Sequence, residues 1–435
     1  MNLLYSNDKP GEYPPSWYAA TADLLPSQPQ LRGNIRADVC VVGAGYTGLS
    51  AALHLAEMGY DVAVVDAQRI GFGASGRNGG QLGSGQRMEQ DGLQKLLGKD
   101  TAKHLWQMGE EAKDLVKSLI AKHDIACHLK PGIAWTGSTP SDVAHLHDYA
   151  ELLQRDYNYD QIQTLSAQEC HALCPSPDYK GGTLDMGAGH LHPLKYALGL
   201  AKAALSAGAK IYENSHVHAI TEGPKPVVQT DQGRVECDHI VLAANGYLGG
   251  LHRKVAARVM PINNFVAATR PLTQEERASV LTQDIAVADS RFVVNYFRLS
   301  HDHRLLFGGG ESYGYKFPTD IAAKVRKPMS VIYPHLRDVP IDYAWGGTLG
   351  ITMKRMPYFA RLAPNILNAS GYSGHGVGTA THAGQLLAQA IAGTSNGFDV
   401  MSAIPTSVFP GAGAMRTPLL ILAMTWYSLR DRVGL

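Results

Sequence analysis

Residues 38–66 read DVCVVGAGYTGLSAALHLAEMGYDVAVVD, and this stretch decides the fold. A short apolar strand pattern runs into Gly43-x-Gly45-x-x-Gly48, a helical pattern follows, and a second apolar strand pattern ends in Asp66. The order strand, glycine turn, helix, strand and acid defines a dinucleotide-binding βαβ unit. Gly43 allows the tight turn, Gly45 lets a pyrophosphate approach the backbone, and Gly48 lets the helix pack on the strand. The helix N-terminus offers unpaired N–H groups and a positive dipole end to phosphate. Asp66 lies about 20 residues beyond the first glycine, where a carboxylate reaches the ribose hydroxyls. No basic residue stands at Ala67 or Gln68, which favours an unphosphorylated ribose; FAD and NAD both satisfy this, and NADP fits less well.

The chain of 435 residues has room for about two to three domains. A hydrophobic content of 45% is that of a globular protein with a sizeable core, and a net charge of +1 gives no sign of a nucleic-acid partner. Cys40, Cys127, Cys170, Cys174 and Cys237 are scattered, and Cys170-x-x-x-Cys174 lacks a second pair, so reduced, buried thiols are expected and no metal site. The N-terminus carries Asp8, Lys9 and several prolines in place of a secretory signal. No run reaches the roughly 18–20 apolar residues of a membrane span. The apolar run at 418–427 is about half that length and reads as a buried terminal helix rather than a membrane-surface anchor. A cytoplasmic location follows as the expectation.

Residues 1–36 are rich in Pro, Ser and Tyr and are expected to wrap over the surface. Residues 92–126 and 141–155 read as helices, with 129–137 a strand interrupted at Pro131-Gly132. Pro193 opens a helix that Gly208 ends. Strands follow at 210–212 and 217–220, then a hairpin over 227–237 and a buried parallel strand in HIVLAA at 239–244. Residues 263–270, 291–299 and 303–309 read as strands of a broader sheet, and 366–393 as strand, loop and helix.

Two further glycine-rich loops stand out. Residues 71–81 read GFGASGRNGGQ; Arg77 is placed to neutralise a phosphate, and Asn78 and Gln81 to bond a polar ring edge. Residues 371–378 read GYSGHGVG between a strand and a helix, so their N–H groups suit the electron-rich edge of a flavin pyrimidine. One such loop alone is a flexible connection; three glycine-rich junctions point to a large cofactor held along its length.

The stretches VVGAGYTGLSAALHLAEMGYDV, RIGFGASGRNGGQL, GHLHPL, RLLFGGG with Tyr313, RMPYFARL, GYSGHGV and YSLRDRVGL together resemble the D-amino-acid-oxidase-type family of FAD-dependent amine and amino-acid oxidoreductases, over nearly the whole chain. The resemblance implies an α/β fold: a Rossmann-like FAD-binding domain with an inserted α+β substrate domain built on a large mixed sheet. The FAD domain would be discontinuous over 33–99, 184–262 and 345–405, the substrate domain would comprise 100–183 and 263–344, and 406–435 would form a C-terminal tail. Carried over by position, Gly43, Gly45, Tyr46, Thr47 and Gly48 would bind the pyrophosphate, with Asp66 and Ala67 at the adenosine ribose. Ala74, Ser75, Arg77, Asn78, Gly79, Gly80, Gln81 and Leu82 would run along the phosphates and isoalloxazine, and Val217 and Ala244 would flank the adenosine end. Tyr372, Gly374, His375, Gly376 and Val377 would close over the pyrimidine edge. No Cys follows Cys237 and no His lies in 78–81, so the FAD is expected to be non-covalent.

Many members of that family clamp the substrate's α-carboxylate with an arginine near the flavin. The corresponding stretch here reads Trp345-Gly346-Gly347-Thr348-Leu349, and a neutral Thr348 forms no bidentate ion pair. This favours a small-molecule amine whose carboxylate lies far from the reacting carbon, oxidised from CH–NH2 to an imine, then to aldehyde and ammonia, with molecular oxygen as acceptor. Such a substrate reacts as neutral amine, which an apolar, aromatic pocket favours. Tyr296, Tyr313 and Trp345 are the candidate walls, and His190 and His192 candidate contacts. Three rivals share some of these features: a dehydrogenase passing electrons to a quinone or carrier, a flavoprotein without small-molecule turnover, and an NAD-linked enzyme, which would leave the loops at 71–81 and 371–378 unexplained. The oligomeric state is not readable from the sequence.

Overall fold

The computed structural model describes residues 2–291, 293–312 and 314–410. The expected tail, the apolar run at 418–427 and Tyr313 therefore lie wholly or mainly outside the described residues. Among the described residues the backbone forms three sheets. The first is a six-stranded sheet in the order Tyr358–Ala363, Ile366–Ser370, His239–Leu242, Val39–Val42, Val62–Val65, Lys210–Tyr212. All its pairings are parallel except that of the first two strands. Val39–Val42 and Val62–Val65 are buried throughout because helices or another sheet cover both faces, as a parallel sheet requires.

Helix Tyr46–Glu57 starts directly after the glycine turn and packs on that sheet. A Cβ on Gly48 would strike the Gly43 carbonyl, so glycine is demanded there by the helix–strand approach. Helix Gly376–Ile391 packs on helix Tyr46–Glu57 in the same way: a Cβ on Gly384 would strike the Thr47 carbonyl and the Ala51 amide. The Ser50 hydroxyl donates to the Thr381 carbonyl at 2.6 Å across this contact.

The second sheet has nine strands and mixed direction. Its path runs Ile341–Ile351, Met260–Thr269, Leu305–Ser312, Tyr296–Leu299, Ala286–Asp289, Lys130–Gly137, Gly181–His190 and Gln81–Leu82, with Ile162–Leu165 on Gly181–His190. Phe265, Phe297 and Phe307 point to one face, where Val325, Met329 and Ile332 of helix Ile321–Ile332 cover them. Val266, Leu306 and Trp345 point to the other face and join the core of the six-stranded sheet. The third sheet, four strands, pairs Gly33–Arg36 in parallel with Gly233–Glu236 of the hairpin. Strands Gly181–His190 and Ile341–Ile351 run through residues 184 and 345, so those two expected domain boundaries fall inside strands of the large sheet.

Several local expectations are corrected. The helical pattern of 92–126 is two helices, Gln90–Leu97 and Lys99–Lys122, broken where Gly98 takes φ +85°. The strand expected over 291–299 starts only at Tyr296, because Asp289 folds the preceding turn onto itself: it accepts from the Asn295 amide at 2.9 Å and from Arg291 Nη1 at 2.7 Å. The Pro131-Gly132 interruption is a bulge inside a strand that continues past it.

The N-terminal segment is no mere surface wrap. Helix Trp17–Thr21, capped by the Ser16 hydroxyl, buries Trp17 and Tyr18 against helix Pro193–Ser206 and the large sheet. The Trp17 indole N–H donates to Asp302 at 3.0 Å, and Tyr18 packs edge-on against Trp345 at 5.1 Å. Trp17→Ala is expected to cost about 3–5 kcal/mol, the usual range for a fully buried aromatic. An unchanged urea-unfolding midpoint would show that the segment is not part of the core.

Candidate functional site

A cavity of about 430 Å³ lies at the carboxyl ends of Val39–Val42, Val62–Val65 and His239–Leu242, where ligands bind in open α/β sheets, and extends under the large sheet. Gly43 takes φ +112° at its edge, and a Cβ there would lie 2.9 Å from the Ala243 carbonyl, so the turn itself needs glycine. Two helices begin at the wall: Tyr46–Glu57, with Gly45 at its N-cap, and Gly376–Ile391, with His375 at its N-cap. Neither N-cap residue caps its helix with a side chain, and neither helix has an acidic residue in its first turn; Ser75 Oγ accepts from the Tyr46 amide at 3.0 Å. Two positive dipole ends therefore converge on one cavity. The Thr47 hydroxyl and the Tyr372 hydroxyl meet at 2.6 Å and join the two loops.

Asp66 ends its strand at the cavity wall. Its carboxylate accepts from the Ala44 amide at 2.6 Å and the Gln68 amide at 2.8 Å. Burial outweighs these bonds and pushes its pKa up to about 6. Ala67, Val217 and Ala244 line the same end. These features fit a dinucleotide with an anionic middle: an open glycine cradle, two converging helix starts and a carboxylate for a ribose diol.

Of the other residues expected at the cofactor, Tyr46, Thr47, Ala74, Ser75, Arg77, Asn78, Gly79, Gln81, Tyr372, Gly374, His375, Gly376 and Val377 line the cavity. Gly48, Gly80 and Leu82 are not among its lining residues. Gly48 sits at the helix–strand contact, Gly80 (φ +78°) turns the loop under the Leu191 carbonyl, and Leu82 is packed against Gly378. The polar groups of the second loop are spent within the protein. Asn78 Nδ2 donates to the Ala74 and Ser75 carbonyls, and its Oδ1 accepts from the Gly80 amide. Gln81 Nε2 donates to the Val287 carbonyl. Arg77 is ion-paired with Asp8 at 2.8 Å and donates to the Phe72 and Gly346 carbonyls. The expected phosphate role of Arg77 is thus corrected: its guanidinium holds the N-terminal segment and the large sheet, with Nη2 unpartnered among the described residues.

The expected substrate residues divide. Tyr296 lines the cavity, stacked over Gly79 and Gly308, and its hydroxyl donates to Asn264 Oδ1 at 2.5 Å. Thr348 does not line it. Strand alternation turns Thr348 to the far face, where its hydroxyl donates to Asn263 Oδ1 at 2.9 Å, and Gly347 and Leu349 face the cavity instead. Trp345 is packed on Tyr18 and donates from Nε1 to the Arg77 carbonyl, so it braces the loop and forms no wall. His190 is buried outside the cavity with Nε2 against the Asp284 carbonyl at 3.3 Å. Burial lowers its pKa to about 3, so its 3.7 Å approach to the Asp284 carboxylate is no ion pair at neutral pH. His192 caps helix Pro193–Ser206 by accepting from the Lys195 amide, and burial lowers its pKa to about 2. His375 lines the cavity as a neutral imidazole, lowered to about 4 chiefly by burial.

Sequence reasoning missed His216, Asn245, Tyr247, Arg87, Asn264, Glu311 and Arg355, all of which line the cavity. Asn245 was within reach, as a polar residue ending HIVLAA: its Oδ1 accepts from the Gly371 amide at 2.8 Å and ties the third loop to that strand. The others sit in no motif. Among the described residues, no group of three or more His, Cys, Asp or Glu is placed to hold a metal, and no helix is long and apolar enough to cross a membrane.

Comparison with known proteins agrees with this geometry. The family model described as FAD dependent oxidoreductase matches residues 38–390. The chain is 41% identical to a probable oxidoreductase OrdL of Rhizobium meliloti (strain 1021), covering 96% of this chain and 97% of that protein. It is 40% identical to gamma-glutamylputrescine oxidoreductase of Escherichia coli (strain K12), covering 97% and 99%. Glycine oxidase from Geobacillus kaustophilus, a solved structure, superposes with a TM-score of 0.73 at 20% identity, covering 86% of this chain and all of that one. Within the family, the stretches quoted from the sequence also resemble bacterial gamma-glutamylputrescine oxidase, in agreement with the Escherichia coli match.

The buried histidines predict acid sensitivity. His190, His192, His375 and His382 have pKa values lowered to about 3, 2, 4 and 4, against 6.5 when solvated. The unfolded chain therefore binds protons that the folded chain refuses. Stability is full above 6.5 and falls as pH drops from there toward 4, by on the order of 1.4 kcal/mol per pH unit for each histidine. Asp66, raised from 3.8 to about 6, acts in the opposite sense, losing its contribution as pH rises through 6, but it is one group against four. Urea midpoints at pH 7.5 and pH 5 should differ in this direction; equal midpoints would refute the neutral burial of these rings.

Proposed function

Because the chain belongs to the family of FAD-dependent oxidoreductases, we propose that it is an amine oxidase. Its substrate would be a primary amine such as gamma-glutamylputrescine, and its products the aldehyde, ammonia and hydrogen peroxide, a reaction of polyamine catabolism. The observation that carries this reading is the uncharged floor of the cavity beneath the large sheet. Ile262, Leu349 and Ile351 line it together with the Tyr296 ring and the Asn264 amide. Leu349 and Ile351 are side chains of one strand turned toward a substrate, and they offer no ion pair to a carboxylate near the reacting carbon. An amine in such surroundings loses solvation of its ammonium form and is favoured as the neutral base.

Bound FAD would supply the two-electron acceptor for the C–N bond. Gly43, Gly45 and Thr47 would hold its phosphates at the start of helix Tyr46–Glu57, and Asp66 its ribose. The amides at the start of helix Gly376–Ile391 would face its pyrimidine edge. No residue in this arrangement is needed for a covalent flavin bond, and the group is proposed to be held non-covalently. His375 stays neutral in the working range and adds no competing cation beside the amine. The Asn264 carboxamide, fixed by its bonds from Tyr296 and to the Gly310 carbonyl, is a rigid polar contact for the amine nitrogen.

The test is oxygen consumption by the purified holoenzyme with gamma-glutamylputrescine, putrescine, glycine, sarcosine and D-alanine. Uptake with the glutamylated amine, one hydrogen peroxide formed per amine lost, is expected. Anaerobic flavin bleaching without oxygen uptake would replace the oxidase by a dehydrogenase, and neither signal with any of these amines would overturn the substrate class. Acid precipitation should release the flavin into the supernatant. A Cβ at Gly45 already meets Ser75 Oγ at 2.8 Å, so Gly45→Val should yield folded protein without flavin absorbance. Normal flavin content in that variant would remove the phosphate role of this turn.

A further inference from the structure

The cavity is lined by seven charged side chains: Asp66, Arg77, Arg87, Glu89, Asp185, Glu311 and Arg355. At least four of them are committed within the protein. Asp66 holds two backbone amides, and Arg77 is paired with Asp8. Asp185 accepts from the Ser84 hydroxyl at 2.6 Å and the Tyr159 hydroxyl at 2.5 Å, and Glu89 meets His145 at 2.9 Å. Arg87 and Arg355 differ. Among the described residues neither guanidinium has an ion pair, and Arg87 makes one hydrogen bond, from Nε to the Ser373 carbonyl at 3.2 Å. That bond places Arg87 against the loop 371–378. Arg355 follows the end of strand Ile341–Ile351, next to the apolar floor, and stands in a turn with φ +64°.

Two cations facing one cavity without carboxylate partners repel each other. After burial, Arg355 is the largest influence lowering the Arg87 pKa, and Glu89 and then Glu311 act on Arg87 in the opposite sense. Glu311 lies opposite Asn264 on the neighbouring strand and lines the same cavity. Two guanidiniums and one carboxylate around an open space complement a group that carries both an anion and a cation.

We propose that Arg87, Arg355 and Glu311 form a subsite for the zwitterionic α-amino-acid end of the substrate, the two arginines holding its carboxylate and Glu311 its ammonium. The subsite adjoins the uncharged floor through the Asn264–Glu311 strand pair, and the length of the glutamylated amine itself separates its amino-acid head from the reacting carbon. This rests on, and deepens, the reading of the chain as an oxidase of a glutamylated amine. It makes the missing arginine of the floor and the arginine pair beside it two halves of one specificity: carboxylate refused at the reacting carbon and required elsewhere on the substrate. Arg87 and Arg355 are specificity-determining residues here and touch no reacting atom.

The experiment uses two ligands that lack a terminal CH2–NH2 group and are not oxidised, γ-L-glutamyl-n-butylamide and its analogue in which a neutral carboxamide replaces the α-carboxylate. Each is titrated into the holoenzyme, and binding is read from the flavin absorption spectrum. The wild type is expected to bind the carboxylate-bearing ligand about 10- to 100-fold more tightly, the range for charge-assisted hydrogen bonds. Arg355→Met and Arg87→Met should each erase most of that preference at unchanged flavin content, and Arg355→Lys should keep part of it. Glu311→Gln should weaken the glutamyl ligand while sparing glutaryl-n-butylamide, which has the carboxylate and no ammonium. No preference in the wild type, or full preference in both methionine variants, overturns the subsite. If gamma-glutamylputrescine is oxidised and the preference is absent, the subsite falls and the proposed function stands; a preference in a protein that does not oxidise that amine upholds the subsite and removes the function.

Discussion

The structure depends on one steric contact, the approach of two helix backbones at Gly384. There the helix after the third loop lies against the helix after the first, close enough that any side chain at this point would collide with the Thr47 carbonyl and the Ala51 amide. Segments more than 300 residues apart in the chain are locked at a fixed crossing, and both helix starts open on the same side of the six-stranded sheet. Everything that makes the cavity an anion-binding place follows from that alignment. The glycine turn could form without it, but one helix start alone would face one part of a cofactor and leave the remainder unheld.

The fold was legible in the sequence because its signals are local. Val39–Val42, the helix start at Gly45 and the acid at Asp66 are read from periodicity and turn chemistry, and the structure places all three as expected. The site was legible only where backbone does the work. Where side chains do it, three physical facts defeated the reading. A strand turns successive residues to opposite faces, so a shift of one residue separates Thr348, which is bound to Asn263, from Leu349, which faces the cavity. A loop without regular structure must satisfy its own polar groups, so Asn78 and Gln81, which look like ligand contacts, serve backbone carbonyls instead. Arg87 and Arg355 belong to no motif, and only the fold brings them to one cavity.

Polar residues divide by surroundings as well as by place. His190 and His192 sit in a motif that looks chemical, yet burial keeps both rings neutral and their nitrogens serve a carbonyl and a helix cap. Arg77 is buried in a glycine-rich loop, yet it is paired with a residue of the N-terminal segment. A charged residue in such a loop is as readily a brace as a ligand, and the decision rests on whether another part of the chain delivers the opposite charge.

That brace has a consequence for the order in which the molecule is completed. The segment holding Asp8, Trp17 and Tyr18 is synthesised before its partners, Arg77, His192, Asp302 and Trp345. Its docking surface is whole only when most of the chain has left the ribosome. These residues are thus among the last to find their places, and until then Arg77 lacks its carboxylate partner. The delay is set by the distance, counted along the chain, between the segment and the indole that receives it.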